Sequence, residues 1–173
     1  MRKQLSDGDS AARTKAAHAI EKLGGKAELE SELVNALRKD TDPVARVFIC
    51  RALAATKTTQ PDTLTALQEV YRHSPTPIVR TYAAGAIVCH TNGTAQNELQ
   101  HLLDRLDPLS LPPDGTAAAN QFWERRWAAA FMIARLGRTG APLITNVERS
   151  TEALVMPDWV ERQLFLTLRQ LSR

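Results

Sequence analysis

The segment DTDPVARVFICRALAAT, residues 40–56, decides the fold because related segments recur along the 173-residue chain. Aligning the copies on one arginine gives five equivalent positions: Arg13, Arg46, Arg80, Arg126 and Arg162. These five residues, called the arginine ladder below, are 33, 34, 46 and 36 residues apart. Apolar residues follow each arginine by three positions, and usually by seven, which places them on one helical face. Each copy therefore predicts an amphipathic helix, and repeats of this length are typical of solenoids.

We call these five helices the marker helices, and the sequence places them near residues 10–23, 43–56, 77–90, 119–136 and 157–171. A second, weaker helix per repeat is predicted at residues 27–38, 61–72, 94–106 and 141–153. No segment alternates apolar and polar residues for long enough to form a strand. The sequence thus predicts one all-α domain over residues 1–173, an α-solenoid (superhelix) of about five helical hairpins.

The shared pattern is close to Asp-x-Asp-Pro-x-Val-Arg-x-x-Ala-Ala-x-Ala-Leu and is clearest in residues 40–53 and 74–87. It resembles the HEAT-like repeats of the phycobilisome-lyase type, an armadillo-like family, over nearly the whole chain. The ankyrin turn signature and the tetratricopeptide Trp/Gly/Tyr pattern are absent from the sequence. The resemblance implies a solenoid fold, and the broad group includes scaffolds, bilin-lyase relatives and some DNA-repair glycosylases.

Composition and charge favour a soluble protein of a reducing compartment. The net charge is +3 with a pI near 9.1, and the basic residues are interspersed with acidic ones, which does not by itself indicate nucleic acid. Cys50 and Cys89 lie in strongly helical segments, so a disulfide framework is not expected. No segment approaches the roughly 20 apolar residues of a membrane span, and residues 1–10 lack the apolar region of a signal peptide. We therefore predict a cytoplasmic protein.

The residues that commonly perform catalysis or bind metals are not arranged for either. The histidines and cysteines lack the paired spacing of a metal site, and neither a glycine-rich phosphate loop nor Gly-x-Ser-x-Gly occurs. The sequence therefore predicts no enzyme, no catalytic residue, no metal site and no cofactor.

The arginine ladder allows a structural and a ligand-binding interpretation. In repeats that it resembles, this arginine usually pairs with an acidic residue of its own or a neighbouring repeat. Aspartates stand four or six residues before three ladder arginines: Asp7, Asp9, Asp40, Asp42 and Asp158. Arg13, Arg46 and Arg162 are therefore predicted to be structural, whereas Arg80 and Arg126 lack such an aspartate and are the most free to bind a partner.

An aromatic ridge is the strongest candidate site. Trp123, Trp127 and Phe131 are spaced by four residues, so they share one face of the fourth marker helix. With Arg51 and Arg135 nearby, the ridge could line a groove for a peptide, a flat ligand or an unstacked base. The alternative is burial of the ridge by an inserted loop, residues 107–119, through Leu109, Leu111 and Pro112. Exposed aromatic patches are uncommon on monomers, which favours burial.

Apolar residues on the last marker helix suggest self-association. They cover more than one face: Trp159, Val160, Leu164, Phe165, Leu166, Leu168 and Leu171. We therefore predict a two-fold homodimer through Trp159, Leu164, Leu168 and Leu171. The alternatives are a lipid, a different protein partner, or a further repeat that follows this helix. At the other end, residues 1–8 are too few for a stable helix of about 12 residues, so the first marker helix is expected to lack a partner helix.

The function that fits best is a non-enzymatic binding or scaffolding module that presents a solenoid groove to a protein or peptide partner. The candidate contacts are the aromatic ridge with Arg51, Arg80, Arg126 and Arg135. The alternative is a nucleic-acid-binding protein similar to the HEAT-like alkylpurine DNA glycosylases, which residues 120–136 loosely resemble. A third interpretation, bilin handling, follows from the repeat resemblance alone.

Overall fold

The computed structural model describes residues 1–6, 8–56, 60–110, 112–113, 115–152 and 156–172. Within these residues all regular structure is helical, as the repeat pattern predicts. Two 3₁₀ segments, Ala27–Leu29 and Gly137–Leu143, precede α3 and α9. The α-helices are α1 (Arg2–Ser6), α2 (Ser10–Lys22), α3 (Glu30–Lys39), α4 (Pro43–Thr56), α5 (Pro61–His73), α6 (Pro77–His90), α7 (Gln96–Leu106), α8 (Thr116–Ala134), α9 (Ile144–Thr151) and α10 (Asp158–Leu171).

The helices form two layers of a solenoid. The even-numbered helices are the marker helices, and α2, α4, α6, α8 and α10 pack side by side in chain order. The odd-numbered helices form the second layer, in which each one packs against the marker helix that follows it. The described helices therefore form five hairpins, which confirms the predicted all-α solenoid.

Local sequence explains where the marker helices begin. Asp9 and Asp42 act as N-caps: an Asp9 oxygen accepts a 2.8 Å hydrogen bond from the Ala12 amide, and an Asp42 oxygen accepts one of 2.8 Å from Val44. Such caps satisfy amides that a helix leaves unpaired. Pro77 occupies the first turn of α6, where proline fits without losing a hydrogen bond.

The core is built from the small residues that the repeat pattern places against neighbouring helices. Three positions after the ladder arginine, Ala16, Ile49, Ala83 and Ala129 are buried. Small side chains allow the marker helices to approach closely, and Gly85 of α6 is the extreme case. A Cβ atom added at Gly85 would lie 2.4 Å from the Cβ of Met132 in α8, so this crossing requires glycine.

The fifth copy departs from the alignment. Phe165 and Arg162 of α10 are exposed, although their counterparts in α8, Ala129 and Arg126, are buried. The buried residues of α10 instead match those of α8 when the alignment is shifted by two residues, so that Val160 stands at the ladder position. The prediction that Arg162 is a structural arginine is therefore wrong, because its side chain faces solvent.

Two predicted boundaries also differ from the structure. Residues 116–119, assigned to the inserted loop, form the first turn of α8, because three consecutive alanines have high helix propensity. At the N-terminus, α1 packs against α2 and α3 with Leu5 only 1% exposed. The first marker helix therefore has a partner helix, because one buried leucine anchors a segment too short to be stable alone.

No helix of the described residues is long and apolar enough to cross a lipid bilayer.

Candidate functional site

Two members of the aromatic ridge lie together on one side of the marker-helix layer. The rings of Trp127 and Phe131 are stacked, with centroids 5.0 Å apart and an angle of 10° between their planes. The Tyr82 ring of α6 meets Phe131 edge-on at 6.4 Å. Both ridge residues are half-buried. This side of the solenoid therefore carries a cluster of aromatic rings, of which Trp127 and Phe131 remain partly open to solvent.

Trp123 does not belong to this surface, which corrects its predicted role. It is 7% exposed and packs edge-on against Phe122 at 5.0 Å. Four-residue spacing advances each side chain by about 40° around the helix, so three such residues do not point in one direction. The predicted ridge therefore divides into a buried tryptophan and a half-buried Trp127–Phe131 pair.

Arg51 and Arg135 are close to the ridge, but they are held by a carboxylate of the first repeat. Both guanidinium groups lie over the Phe131 ring, 4.6 Å and 4.8 Å from its centroid. Glu21 of α2 accepts a 3.0 Å hydrogen bond from Nε of Arg51 and another from Arg135. Glu21 thereby connects the first, second and fourth repeats across the marker-helix layer.

Arg126 is a structural residue, which corrects the prediction that it is free to bind a partner. Its side chain is fully buried, and its guanidinium donates to the main-chain oxygens of Arg105 and Asp107. These carbonyls lie at the end of α7, where a helix leaves its last acceptors unpaired. Arg126 therefore fixes the start of the inserted loop.

The inserted loop was expected to cover the Trp127–Phe131 pair through three of its residues. Leu109 is 85% exposed, so it contributes no apolar cover to the ridge. Leu111, the second residue expected to cover it, lies outside the described residues, and Pro112 is half-buried. The expectation that Leu109 buries the ridge is therefore wrong.

An apolar groove of about 270 Å³ begins at Trp127. Four consecutive marker helices line it: Pro43, Val44 and Val47 from α4, Ile78 and Tyr82 from α6, Glu124 and Trp127 from α8, and Trp159 from α10. Residues from the second and fifth repeats meet in one groove because the layer of marker helices is concave here. Among these lining residues, Glu124 alone carries a charge.

The first arginine of the ladder is paired with the neighbouring repeat. Nε of Arg13 lies 2.5 Å from an oxygen of Asp40, and both side chains are buried. Burial raises the pKa of Asp40, but hydrogen bonds from Arg13, the Asp42 amide and Ser10 outweigh it and hold the pKa below its usual value. Asp7, also considered as a partner, lies outside the described residues.

Arg46 does not follow this arrangement. Its Nε is buried without a hydrogen bond, and within the described residues neither Asp40 nor Asp42 pairs with it. It shares a surface cavity with Glu69 and His73. Arg46 was predicted to bind an aspartate or a helix-end carbonyl; the two aspartates are engaged elsewhere, because Asp40 binds Arg13 and Asp42 caps α4, and the carbonyl stays a prediction.

The predicted dimer contacts are only partly at the surface. Leu164 and Leu171 are 0% and 2% exposed, because they pack into the core shared with α8. They cannot meet a second copy without unfolding α10, which corrects that part of the prediction. Trp159 is 44% exposed but lines the groove, and Leu168 is half-buried.

The described residues contain no group of three or more His, Cys, Asp or Glu side chains placed to hold a metal ion.

Comparison with known proteins adds one finding. A family model described as HEAT repeats matches residues 1–88, half of the chain. No curated protein and no solved structure matches the chain.

Proposed function

The chain belongs to the HEAT-repeat family, and from this membership we propose a non-enzymatic binding module that holds an apolar segment of a protein or peptide partner. HEAT repeats are commonly protein-interaction scaffolds and are typically non-catalytic. The observation that carries the proposal is the apolar groove between α4, α6, α8 and α10.

The size of the groove favours a side chain over a whole small molecule. Pockets that enclose complete ligands usually measure about 300–1,000 Å³, and this groove lies just below that range. Val44 is 58% exposed and Trp159 is 44% exposed, so apolar surface is open to a partner. An aliphatic or aromatic anchor of a peptide would remove this surface from water, which stabilises binding.

The charge of the groove indicates which type of residue should stand beside that anchor in the partner. Glu124 is exposed on α8 three residues before Trp127, so its carboxylate stands beside the apolar surface. A lysine or arginine next to the anchor would complement this carboxylate. The partner segment is therefore an apolar residue flanked by a basic one.

The alternative function, nucleic-acid binding, is poorly supported by the arginines that were predicted to contact a partner. Glu21 engages both Arg51 and Arg135, and main-chain oxygens engage Arg126. Glu124 would repel phosphates that approached the groove. Arg80 is the remaining arginine of the predicted set. It lies on α6 where α6 meets α7, since the next residue, Thr81, contacts His101 of α7.

The test is a fluorescence-polarisation assay with labelled octapeptides that carry a central phenylalanine flanked by lysine, serine or glutamate. Lysine-flanked peptides should bind about two- to fivefold more tightly than glutamate-flanked ones, the effect of an exposed ion pair. Val44→Glu places a charge in the groove and should weaken binding at least about tenfold.

Leu23→Glu is the matched control, because Leu23 is 57% exposed but lies outside the groove. It should bind like wild type. Equal binding by the Val44 and Leu23 variants would exclude the groove as the site. A DNA duplex that bound more tightly than every peptide, with steep salt dependence, would replace the proposal by the nucleic-acid alternative.

A further inference from the structure

The charges of three arginines from consecutive helices act on one histidine, His101. Arg80 belongs to α6, Arg105 to α7 and Arg125 to α8, and we call them the arginine cluster. His101 joins the first two: its Nε2 lies 3.4 Å from the hydroxyl of Thr81, the residue after Arg80, and Arg105 follows it by one helical turn. The cluster therefore spans the contact between two repeats.

Arg125 lies near the other two arginines because the next residue, Arg126, binds α7. The main-chain oxygen of Arg105 accepts a 3.1 Å hydrogen bond from Nε of Arg126, which holds this turn of α8 against α7. Burial, followed by repulsion from Arg105 and Arg80, lowers the pKa of Arg125. The three positive charges are thus close enough to repel one another.

Two of the cluster arginines have an Nε donor without a partner among the described residues, whereas Nε of Arg125 donates a 3.1 Å hydrogen bond to the main-chain oxygen of Gln121. Nε of Arg80 and Nε of Arg105 are both buried without a hydrogen bond. None of the ion pairs among the described residues includes a cluster arginine. Buried donors without a partner are unfavourable, and an anion bound at the cluster would satisfy them.

Two carboxylates lie near the cluster without neutralising it. Asp104 is exposed and accepts a 2.8 Å hydrogen bond from Gln100, and Glu98 is half-buried on the same helix. Burial, then repulsion by Arg105 and Arg80, lowers the pKa of His101 to about 4, so the imidazole is neutral at pH 7. Arg46, the ladder residue one repeat earlier, differs because Glu69 lines its cavity.

We propose that the arginine cluster binds a phosphate monoester group, either free or carried by a peptide. Guanidinium groups present forked N–H donors that match phosphate oxygens. A dianion complements three arginines better than a single carboxylate does. The Tyr71 ring packs edge-on against the His101 imidazole at 5.4 Å, beside these arginines.

The distribution of charge favours a single phosphate over a nucleic-acid backbone. A backbone places further phosphates on both sides of the first, and these would approach Glu98 and Asp104. The whole chain carries a net charge of only +3, so no extended basic surface accompanies the cluster. The site is also independent of the groove, because it uses none of the groove-lining residues.

The test is calorimetric titration with inorganic phosphate at pH 7.5, in parallel with sodium acetate at matched ionic strength. Wild type should bind phosphate saturably, and Arg80→Gln with Arg105→Gln should bind at least about tenfold more weakly, the loss of two charge-assisted contacts. Without phosphate, this double variant should melt no lower than wild type, because it loses like-charge repulsion. Arg162→Gln, an exposed arginine elsewhere, should behave as wild type.

Arg125→Gln provides a second variant if the double variant does not fold, and it should also weaken phosphate binding. A phosphoserine octapeptide should compete with inorganic phosphate, whereas its serine counterpart should not. The proposal is overturned if acetate binds as tightly as phosphate, or if wild type and variants bind phosphate equally. It is also overturned if a DNA duplex binds through these arginines and phosphate does not compete with it.

Discussion

Arg13 and Asp40 show how one buried ion pair joins two repeats. The Asp40 carboxylate also accepts hydrogen bonds of 2.9 Å from the Ser10 hydroxyl and the Asp42 amide, so its oxygens remain satisfied after burial. These bonds favour the ionised carboxylate, which explains its lowered pKa. The pair ties α2 to the C-terminal end of α3, in the turn that leads into α4.

Replacing Arg13 with alanine should lower the free energy of unfolding by about 3 kcal/mol, because it leaves a buried carboxylate without its cation. Arg162→Ala removes an exposed ladder arginine and should change it by no more than about 0.5 kcal/mol. Urea denaturation at pH 7 measures both.

Acid should reduce the effect of Arg13→Ala. The pKa of Asp40 is lower in the folded than in the unfolded state, so its contribution is present above the unfolded value, near 4. It is lost as the pH falls through the folded-state pKa. A difference between wild type and Arg13→Ala that did not shrink as the pH fell below the unfolded value would contradict this assignment.

The sequence could predict that the aspartates near the arginine ladder have structural roles, but it could not predict which role each one has. Asp9 and Asp42 cap helices, whereas Asp40 binds Arg13 of the preceding repeat. All three stand four or six residues before an arginine, and both distances place a carboxylate near a helix start. Spacing alone therefore cannot separate a cap from an ion pair.

At the scale of helices, α10 shows where periodicity is ambiguous. The starts of α4 and α6 coincide with Pro43 and Pro77, because proline restricts the residues before it. The helix α10 carries apolar residues on more than one of its faces, so its sequence does not indicate which face is buried. Packing against α8 decides this, with Val160 and Leu164 in the core.

Leu164→Glu should therefore unfold or strongly destabilise the chain, by at least about 3 kcal/mol, because it buries a charge in the core. Leu166→Glu is the matched control: Leu166 is 53% exposed, and its substitution should leave the melting temperature nearly unchanged. Differential scanning calorimetry distinguishes them. A folded, fully monomeric Leu164→Glu protein from a dimeric wild type would restore the predicted dimer contact.

At the scale of the whole molecule, Glu21 links helices that are distant in sequence. The solenoid and its marker helices could be predicted because the repeats share one pattern, most clearly in residues 40–53 and 74–87. The contact between Glu21 and Arg135 could not, because it depends on the curvature of the stack. The curvature follows from helix crossings such as that of Gly85 against Met132. The periodicity of the sequence does not directly predict the geometry of such crossings.

Glu21→Gln should lower the free energy of unfolding by about 2–3 kcal/mol, since it leaves Arg51 and Arg135 close together without an anion. Glu28→Gln, an exposed glutamate in the 3₁₀ segment between α2 and α3, is the control and should have little effect. Chemical denaturation measures both variants. Equal midpoints for the two would show that Glu21 does not hold the repeats together.

The Glu21–Arg135 contact also bears on how this chain can evolve. Solenoids usually gain or lose repeats by duplication or deletion, because each repeat touches only its neighbours. One additional repeat between α2 and α8 would move Arg135 away by about the 8–10 Å that separates packed helices. The ion pair could not then form. A duplication inside that interval would therefore cost this ion pair, whereas one outside it would leave the pair intact.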